Sequence, residues 1–317
     1  MRALITGVAG FAGRHLAALL LARGDEVHGT LHRAESRARL GELTGRHPEL
    51  EARLQVVDVV DADGVARVVA AVQPQALFHL AGMTFVPDTL ADPATTVRVN
   101  VLGAVHVFDA VQRHAAGCRV LAIGSGDAYG DVRADELPVR ESCPFRPLSP
   151  YGASKASVDL LAEQWARSGL DIVRVRPFNH TGPGQRPDFV CPDFARQLVA
   201  VARGEHAPVL SVGDLTLVRD FTDVRDVVAA YVAACERGNS GDVYNICSGV
   251  GRSVRSVLDT LSEIVGVQVG TAVADQRLRP ASVRVLIGSA DKLRAATGWA
   301  PRYDWHQTLR DVVADWL

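Results

Sequence analysis

The run Tyr151-Gly152-Ala153-Ser154-Lys155 sets a phenol and an ammonium four positions apart. On an α-helix that spacing brings both onto one face. An ammonium beside a phenol favours the phenolate and lowers the tyrosine pKa from its reference of about 10. Tyr151 then becomes an acid or base usable near neutrality. Pro150 suits the first turn of such a helix. A Tyr-Lys pair at this spacing is common and usually means nothing, so its surroundings decide. Gly124-Ser125-Gly126 follows a short apolar run, and Ser125 offers a hydroxyl to a substrate oxygen. His79-Leu80-Ala81-Gly82 ends another such run.

A second chemistry-bearing pattern lies near the N-terminus, where Thr6 is followed by glycines at 7, 10 and 13. In a strand-to-helix turn, one glycine allows the tight bend. Another lets backbone approach a diphosphate, and a third lets helix and strand pack closely. Gly10-Phe11-Ala12-Gly13 would then open a helix whose positive end holds the phosphates. Dinucleotide enzymes that use NAD place an acid at the end of the second strand, for the ribose hydroxyls. Here the run is Val27-His28-Gly29-Thr30-Leu31-His32-Arg33, with no carboxylate before Glu35. Arg33 is suited to a 2′-phosphate, so NADP(H) is preferred, with NAD(H) as the alternative. A solvated surface charge is the bland reading of Arg33. Asp58-Val59 ends the third strand, where Asp58 would either bond the adenine or cap the next helix.

The elements that must carry these residues alternate. Strands are predicted over 3–6, 27–31, 54–57, 76–80, 120–123 and 171–176, with helices over 14–23 and 63–72 among them. This alternation predicts a parallel sheet with helices on both faces. Residues 178–186 read as a loop around Gly182-Pro183-Gly184. Helices follow over 193–203, 224–236, 254–265 and 305–316, with strands at 209–212 and 243–246. The helix after Tyr151 carries Val158, Leu161, Ala162 and Trp165, which suits either a homodimer face or packing on the sheet.

The chain of 317 residues has a formal net charge of −2 and 48% hydrophobic residues. That is core enough for a large α/β domain or two lobes, and it lacks the basic footprint of a nucleic-acid binder. Five scattered cysteines without CxxC spacing suit free thiols in a reducing compartment and suggest no metal. Neither a signal-peptide h-region nor a run of about 18 apolar residues is present, so a cytoplasmic location off the membrane is expected.

Taken together, Gly7/Gly10/Gly13, His79-Leu80-Ala81-Gly82, Ser125 and Tyr151/Lys155 resemble the extended short-chain dehydrogenase/reductase superfamily. The resemblance runs over essentially the whole chain, in order and spacing. It implies a Rossmann-type doubly wound sheet with a smaller C-terminal α/β substrate lobe. The cofactor domain would span 1–178 with a returning segment near 221–246, and the lobe 179–220 and 247–317. It implies Ser125, Tyr151 and Lys155 as the catalytic triad, with Lys155 also on the nicotinamide ribose. Asn100 would support them, and relatives dimerise through a four-helix bundle. A non-enzymatic cofactor sensor on the same fold would typically have lost Tyr151 or Lys155.

The second half narrows the branch. Arg176-Pro177-Phe178-Asn179-His180-Thr181-Gly182-Pro183-Gly184-Gln185 resembles the substrate loop of enzymes acting on GDP-linked hexoses. So do Val212-Gly213-Asp214-Leu215, the run 218–226, and Leu278-Arg279-Pro280-Ala281-Ser282-Val283. The resemblance is to the GDP-6-deoxy-D-mannose reductase branch, with GDP-mannose 4,6-dehydratase its near relative. It implies NADPH-dependent reduction of the C4 ketone of a GDP-4-keto-6-deoxyhexose to GDP-D-rhamnose. Arg219 and Arg279 are the candidates for a diphosphate clamp, because guanidinium pairs well with phosphate oxygens. Arg219 would otherwise pair with Asp220 or Asp223. Asn179 and Thr84 would reach phosphate or sugar oxygens, and His180 is assigned no chemistry. The dehydratases place a Glu two residues after the triad Ser/Thr, where this chain has the shorter Asp127. An epimerase would add an acid/base pair, for which Cys143 and Cys191 lie outside that pattern.

Overall fold

The computed structural model describes residues 1–278 and 283–317. In the first half, short aliphatic runs become strands and each is followed by helix. The elements are β1 (Arg2–Thr6), α1 (Phe11–Ala22), β2 (Glu26–Leu31), α2 (Gly41–Arg46), β3 (Leu54–Val56) and α3 (Ala62–Val72). Next come β4 (Ala76–His79), α4 (Val86–Ala91), α5 (Pro93–Val97), α6 (Gly103–His114), β5 (Arg119–Ile123), α7 (Pro150–Arg167) and β6 (Ile172–Pro177). The second half continues with β7 (Asn179–Thr181), α8 (Val190–Ala202), β8 (Val209–Val212), β9 (Val218–Asp223), α9 (Val224–Arg237) and β10 (Val243–Ile246). It ends with β11 (Gly251–Ser253), α10 (Val254–Val265), β12 (Gly270–Val273), β13 (Val285–Leu286), α11 (Asp291–Thr297) and α12 (Trp305–Ala314).

Seven strands form one parallel sheet in the order β10-β6-β5-β4-β1-β2-β3. Alternate side chains feed two cores, as the strand period of two requires. Ala3, Ile5, Phe78 and Leu121 face Leu16 and Leu20 of α1 and Val227 and Tyr231 of α9. Leu4, Leu77, Val120 and Ala122 face Val68 of α3, Phe108 of α6 and Val158 of α7. Each such large side chain contributes roughly 1.5–3 kcal/mol by leaving water. Strand order reverses between β1 and β4, and a doubly wound sheet opens its ligand crevice there, at the strands' carboxyl ends.

A smaller body is built from a sheet of β7, β9, β11 and β13, a β8–β12 pair, and α8, α10 and α12 around their own apolar cluster. The chain crosses between the bodies repeatedly, since α9 packs on α1, β10 joins the large sheet, and α11 packs on α9 and β10. The run 178–186, expected as loop, contains strand β7, whose Asn179 pairs with Phe221 of β9. Both strands are polar and pair with each other, so neither shows an alternating apolar pattern. Among the described residues no helix is long and apolar enough to cross a membrane. Val158 and Ala162 are buried in the large core and Trp165 lies tilted against Phe108 at 5.8 Å, so these three serve packing. Leu161 is half-buried, and the large apolar side chain of α7 that stands exposed is Leu160.

Candidate active site

The glycine turn forms one wall of a cleft of about 1040 Å³ between the two bodies. Gly7 has φ +69°, and a Cβ there would stand 2.9 Å from the Ala81 Cα. At Gly13 a Cβ would stand 2.6 Å from the Gly7 carbonyl oxygen. Both approaches therefore demand glycine. Gly10 is the N-cap of α1, no side chain caps it, and the first turn holds no carboxylate. The amides of Phe11, Ala12 and Gly13 are thus left at the positive end of a twelve-residue helix. That donor set fits the diphosphate of a dinucleotide.

Opposite this turn, β5 and α7 bring the catalytic candidates together. Ser149 caps α7 by accepting from the Gly152 amide at 3.1 Å, which starts the helix one residue before Tyr151. Ser125 shares a hydrogen bond with the Tyr151 phenol and accepts from the Asp127 amide at 3.1 Å. The buried Lys155 Nζ donates to the Ile123 carbonyl at 2.9 Å. Ser125, Asp127, Tyr151 and Lys155 all line the cleft. Lys155 was expected to lower the Tyr151 pKa, but the phenol is raised. Burial is the main cause and the Asp127 charge adds to it, while the Ser125 bond works the other way. Burial also pushes Lys155 down, to about 8. His79, at the end of β4, is buried against Thr6 at 2.8 Å and pushed down to about 3, by burial and then by Lys155. It stays neutral and structural.

Two buried arrangements hold α7 in place. Asn100 sits in a π-helical turn over 98–102, between α5 and α6. It accepts from the Met83 amide at 2.7 Å and donates to the Met83 carbonyl at 3.0 Å and Ser154 Oγ at 2.9 Å. It thereby ties the loop after β4 to α7. Further along α7, Asp159 takes both guanidinium arms of Arg176 at 2.8 Å, and Arg174 at 3.0 Å. Arg176 in turn donates to the Tyr129 hydroxyl at 2.8 Å.

Leu80 and Gly82 line the cleft, Gly82 beside Asn100 and Lys155, while Ala81 lies behind, donating its amide to Thr6 Oγ1 at 3.2 Å. Arg33 is exposed and stands at the start of a 3₁₀ turn, away from the cleft lining. Arg39, at the far end of that turn, and Arg14 of α1 line the cleft instead. No local pattern distinguishes Arg39, because the turn's path brings it round. Asp58 is not a helix cap, since Asp61 accepts from the Gly64 amide to cap α3. Asp58 accepts from the Val60 amide at 3.1 Å and lies 3.6 Å from His32 Nδ1. Val59 is buried, with its carbonyl 3.0 Å from His106 Nδ1.

Thr84, Asn179 and Arg219 line the far half of the cleft. Arg219 donates to the Val218 carbonyl at 2.8 Å. Asp220 is engaged by Ser248, Gly249 and Gly288, and Asp223 by Arg225 and Thr308. Arg279 lies outside the described residues. His180 stacks on Phe11 at 6.0 Å and donates from Nδ1 to the Phe178 carbonyl at 3.1 Å. Sequence reasoning missed the pair Phe85 and Phe189, 5.7 Å apart, with Arg186 over Phe85. It also missed Arg196, Arg277 and Tyr231 in the lining. Cys191 lines the cleft too, but burial pushes its thiol up to about 12, and Cys143 is raised as well. Among the described residues no three potential metal-ligating side chains cluster.

The family model for GDP-mannose 4,6 dehydratase matches residues 4–312. The chain belongs to that family. It is 35% identical over 316 residues to GDP-6-deoxy-D-mannose reductase of Pseudomonas aeruginosa, covering 99% of this chain and 97% of that one. Its structure is similar to that of RMD from Pseudomonas aeruginosa complexed with NADPH, with TM-score 0.83, 33% identity and coverage of 100% and 99%. It is also similar to UDP-glucose 4-epimerase of Thermus thermophilus in complex with NAD, with TM-score 0.83, 30% identity and coverage of 100% and 99%. The family members are nucleotide-sugar enzymes, and this one carries the Rossmann-type fold of its relatives.

Proposed function

We propose that the chain reduces the C4 ketone of a GDP-4-keto-6-deoxy-D-mannose-type sugar with NADPH, giving GDP-D-rhamnose. The observation that carries this reading is the Ser125–Tyr151 pair, set in the cleft across from an uncapped glycine-turn helix. Full-length similarity to a GDP-6-deoxy-D-mannose reductase supports the substrate. When bound, NADPH supplies the hydride. Tyr151, kept protonated by burial, gives its proton to the alkoxide oxygen that develops at C4. Ser125 donates to the same oxygen and orients the phenol. Lys155 holds a ribose hydroxyl and places positive charge beside the site. Gly10, Phe11, Ala12 and Gly13 take the dinucleotide diphosphate, and Arg39 and Arg14 supply cations for a 2′-phosphate. Asn179, Arg219 and Arg279 take the sugar diphosphate, and Thr84 a hexose hydroxyl.

Purified protein given the 4-keto sugar and NADPH should bleach the reduced-nicotinamide absorbance and release a GDP-6-deoxyhexose. No cofactor oxidation would sink the proposal. The second reading is the 4,6-dehydratase, for which Asp127 in the cleft would be the base for the C5 proton, although it is one bond shorter than the Glu of the dehydratases. Release of 4-keto sugar from GDP-mannose by the purified protein would establish it.

We further propose a cytoplasmic homodimer. The five cysteines are all free, which suits a reducing compartment. Leu160 of α7, Val97 of α5 and Leu102 beside it are 59%, 51% and 42% exposed on neighbouring helices. Sedimentation should show a dimer, and Leu160→Glu a monomer.

A further inference from the structure

Tyr129, Tyr231 and Tyr244 are the three largest fully buried side chains. A buried phenol needs a hydrogen-bond partner. Tyr129 has Asn245 at 2.6 Å and Arg176 at 2.8 Å. Tyr244 has Asp242 at 3.0 Å and the Asn239 amide at 3.1 Å. Tyr231, 1% exposed, makes no hydrogen bond to any described residue, and it lines the cleft. Its hydroxyl, without a hydrogen-bond partner among the described residues, is left to the cleft.

Position narrows the ligand. Tyr231 lies on α9, which packs against α1, the helix that the glycine turn opens. Its ring belongs to the cluster that contains Val8 and Ala9 of that turn, Ile123 at the end of β5, and Phe178. It also lies near enough to Tyr151 for that phenol to oppose its ionisation. The cleft floor at Tyr231 thus runs from the phosphate-binding turn to the proton donor. A dinucleotide laid along that path presents acceptor oxygens there, between its diphosphate and its nicotinamide-side ribose.

We propose that Tyr231 is a cofactor-binding residue whose hydroxyl donates a hydrogen bond to the dinucleotide between its diphosphate and its nicotinamide ribose. This rests on the reading of the cleft as a dinucleotide site. The tyrosine hydroxyl is then a ligand contact, and the ring beneath it is ordinary core.

The test is Tyr231→Phe, which keeps the ring and its packing. NADPH affinity, measured by nucleotide fluorescence, should fall roughly 3–10-fold, as loss of one hydrogen bond implies. Affinity for adenosine 2′,5′-bisphosphate, which lacks the nicotinamide half, should not change. The ligand-free protein should melt at nearly the same temperature, because the hydroxyl faces the cleft and no hydrogen bond to a described residue is lost. Saturating NADPH should then raise the melting temperature less than it does in wild type. Equal NADPH affinity in the two proteins overturns the inference. So does equal weakening toward the bisphosphate, or a ligand-free melting point several degrees lower, which would make the hydroxyl structural. A wild type that binds no NADPH overturns the dinucleotide reading first, and this inference with it.

Discussion

Replacing Lys155 with methionine should stabilise the ligand-free protein at neutral pH while abolishing turnover. The side chain is buried at 7% exposure, and its ammonium donates to a protein group at the Ile123 carbonyl, 2.9 Å away. Burial holds its pKa at about 8, against 10.5 ordinarily. At about 1.36 kcal/mol per pH unit, the charged form costs the folded state about 3 kcal/mol at pH 7. Methionine fills similar volume but leaves the Ile123 carbonyl without that donor, a loss of about 1–2 kcal/mol. The net gain is about 1–2 kcal/mol. Unfolding entropy near 2.1 cal/mol/K per residue over 317 residues converts this to a rise of about 2 °C.

The pH dependence makes the argument refutable. Between about pH 8 and 10.5 the unfolded lysine holds its proton while the folded one has lost it. The unfolded state binds more protons there, so wild-type stability from this group rises with pH. The advantage of Lys155→Met is complete below pH 8, shrinks through that window, and reverses near its top, where only the lost hydrogen bond remains. Paired thermal or urea melts from pH 7 to 10 measure the difference directly, since groups common to both proteins cancel. A variant less stable than wild type at pH 7, by a margin constant with pH, would refute the buried-charge reasoning.

Tyr151→Phe should cut turnover by orders of magnitude and leave NADPH affinity nearly unchanged, as stopped-flow and fluorescence titration would show. Gly13→Ala drives a Cβ to 2.6 Å from the Gly7 oxygen and 2.7 Å from the Val8 oxygen, both backbone. It should weaken NADPH binding at least tenfold and cost about 1–3 kcal/mol in a urea melt. Asp159→Asn removes the one carboxylate that engages Arg176, on side chains 1% and 6% exposed. Chemical denaturation should show a loss of about 3–5 kcal/mol.

The large sheet was legible because parallel strands buried on both faces are written as continuous apolar runs, as in Ala76-Leu77-Phe78. The glycine turn and the Tyr151–Lys155 pair were legible because their geometry is local. What lay hidden depended on the chain's return. Strand β9 carries Asp220, wholly buried yet held by Ser248, Gly249 and Gly288 from distant segments, so its polarity hides its place in a sheet. Arg39 reaches the cleft only because a 3₁₀ turn follows β2, and Tyr231 only because α9 crosses back onto α1. The charge logic of the Tyr–Lys pair failed for a different reason. Spacing shows that two groups share a face, but it does not show how far both are withdrawn from water. Here burial raises the phenol and lowers the ammonium.

The electrostatics also bear on the direction of reaction. Reduction of a ketone calls for a phenol that arrives holding its proton. A dehydratase that begins by oxidising the C4 hydroxyl calls for a phenolate to take one. In the ligand-free cleft Tyr151 is raised by burial and raised again by Asp127, so the resting site is poised as an acid. The same carboxylate that invites comparison with an elimination base therefore acts first on the phenol, to keep it protonated. Lys155, held at about 8, is still mostly charged at neutral pH, and in the proposed reduction its charge would favour the phenolate once the proton has gone to the alkoxide. Burial thus keeps the phenol protonated, in the sense a reductase requires, while it opposes the lysine charge, which survives at neutral pH at a cost to the fold.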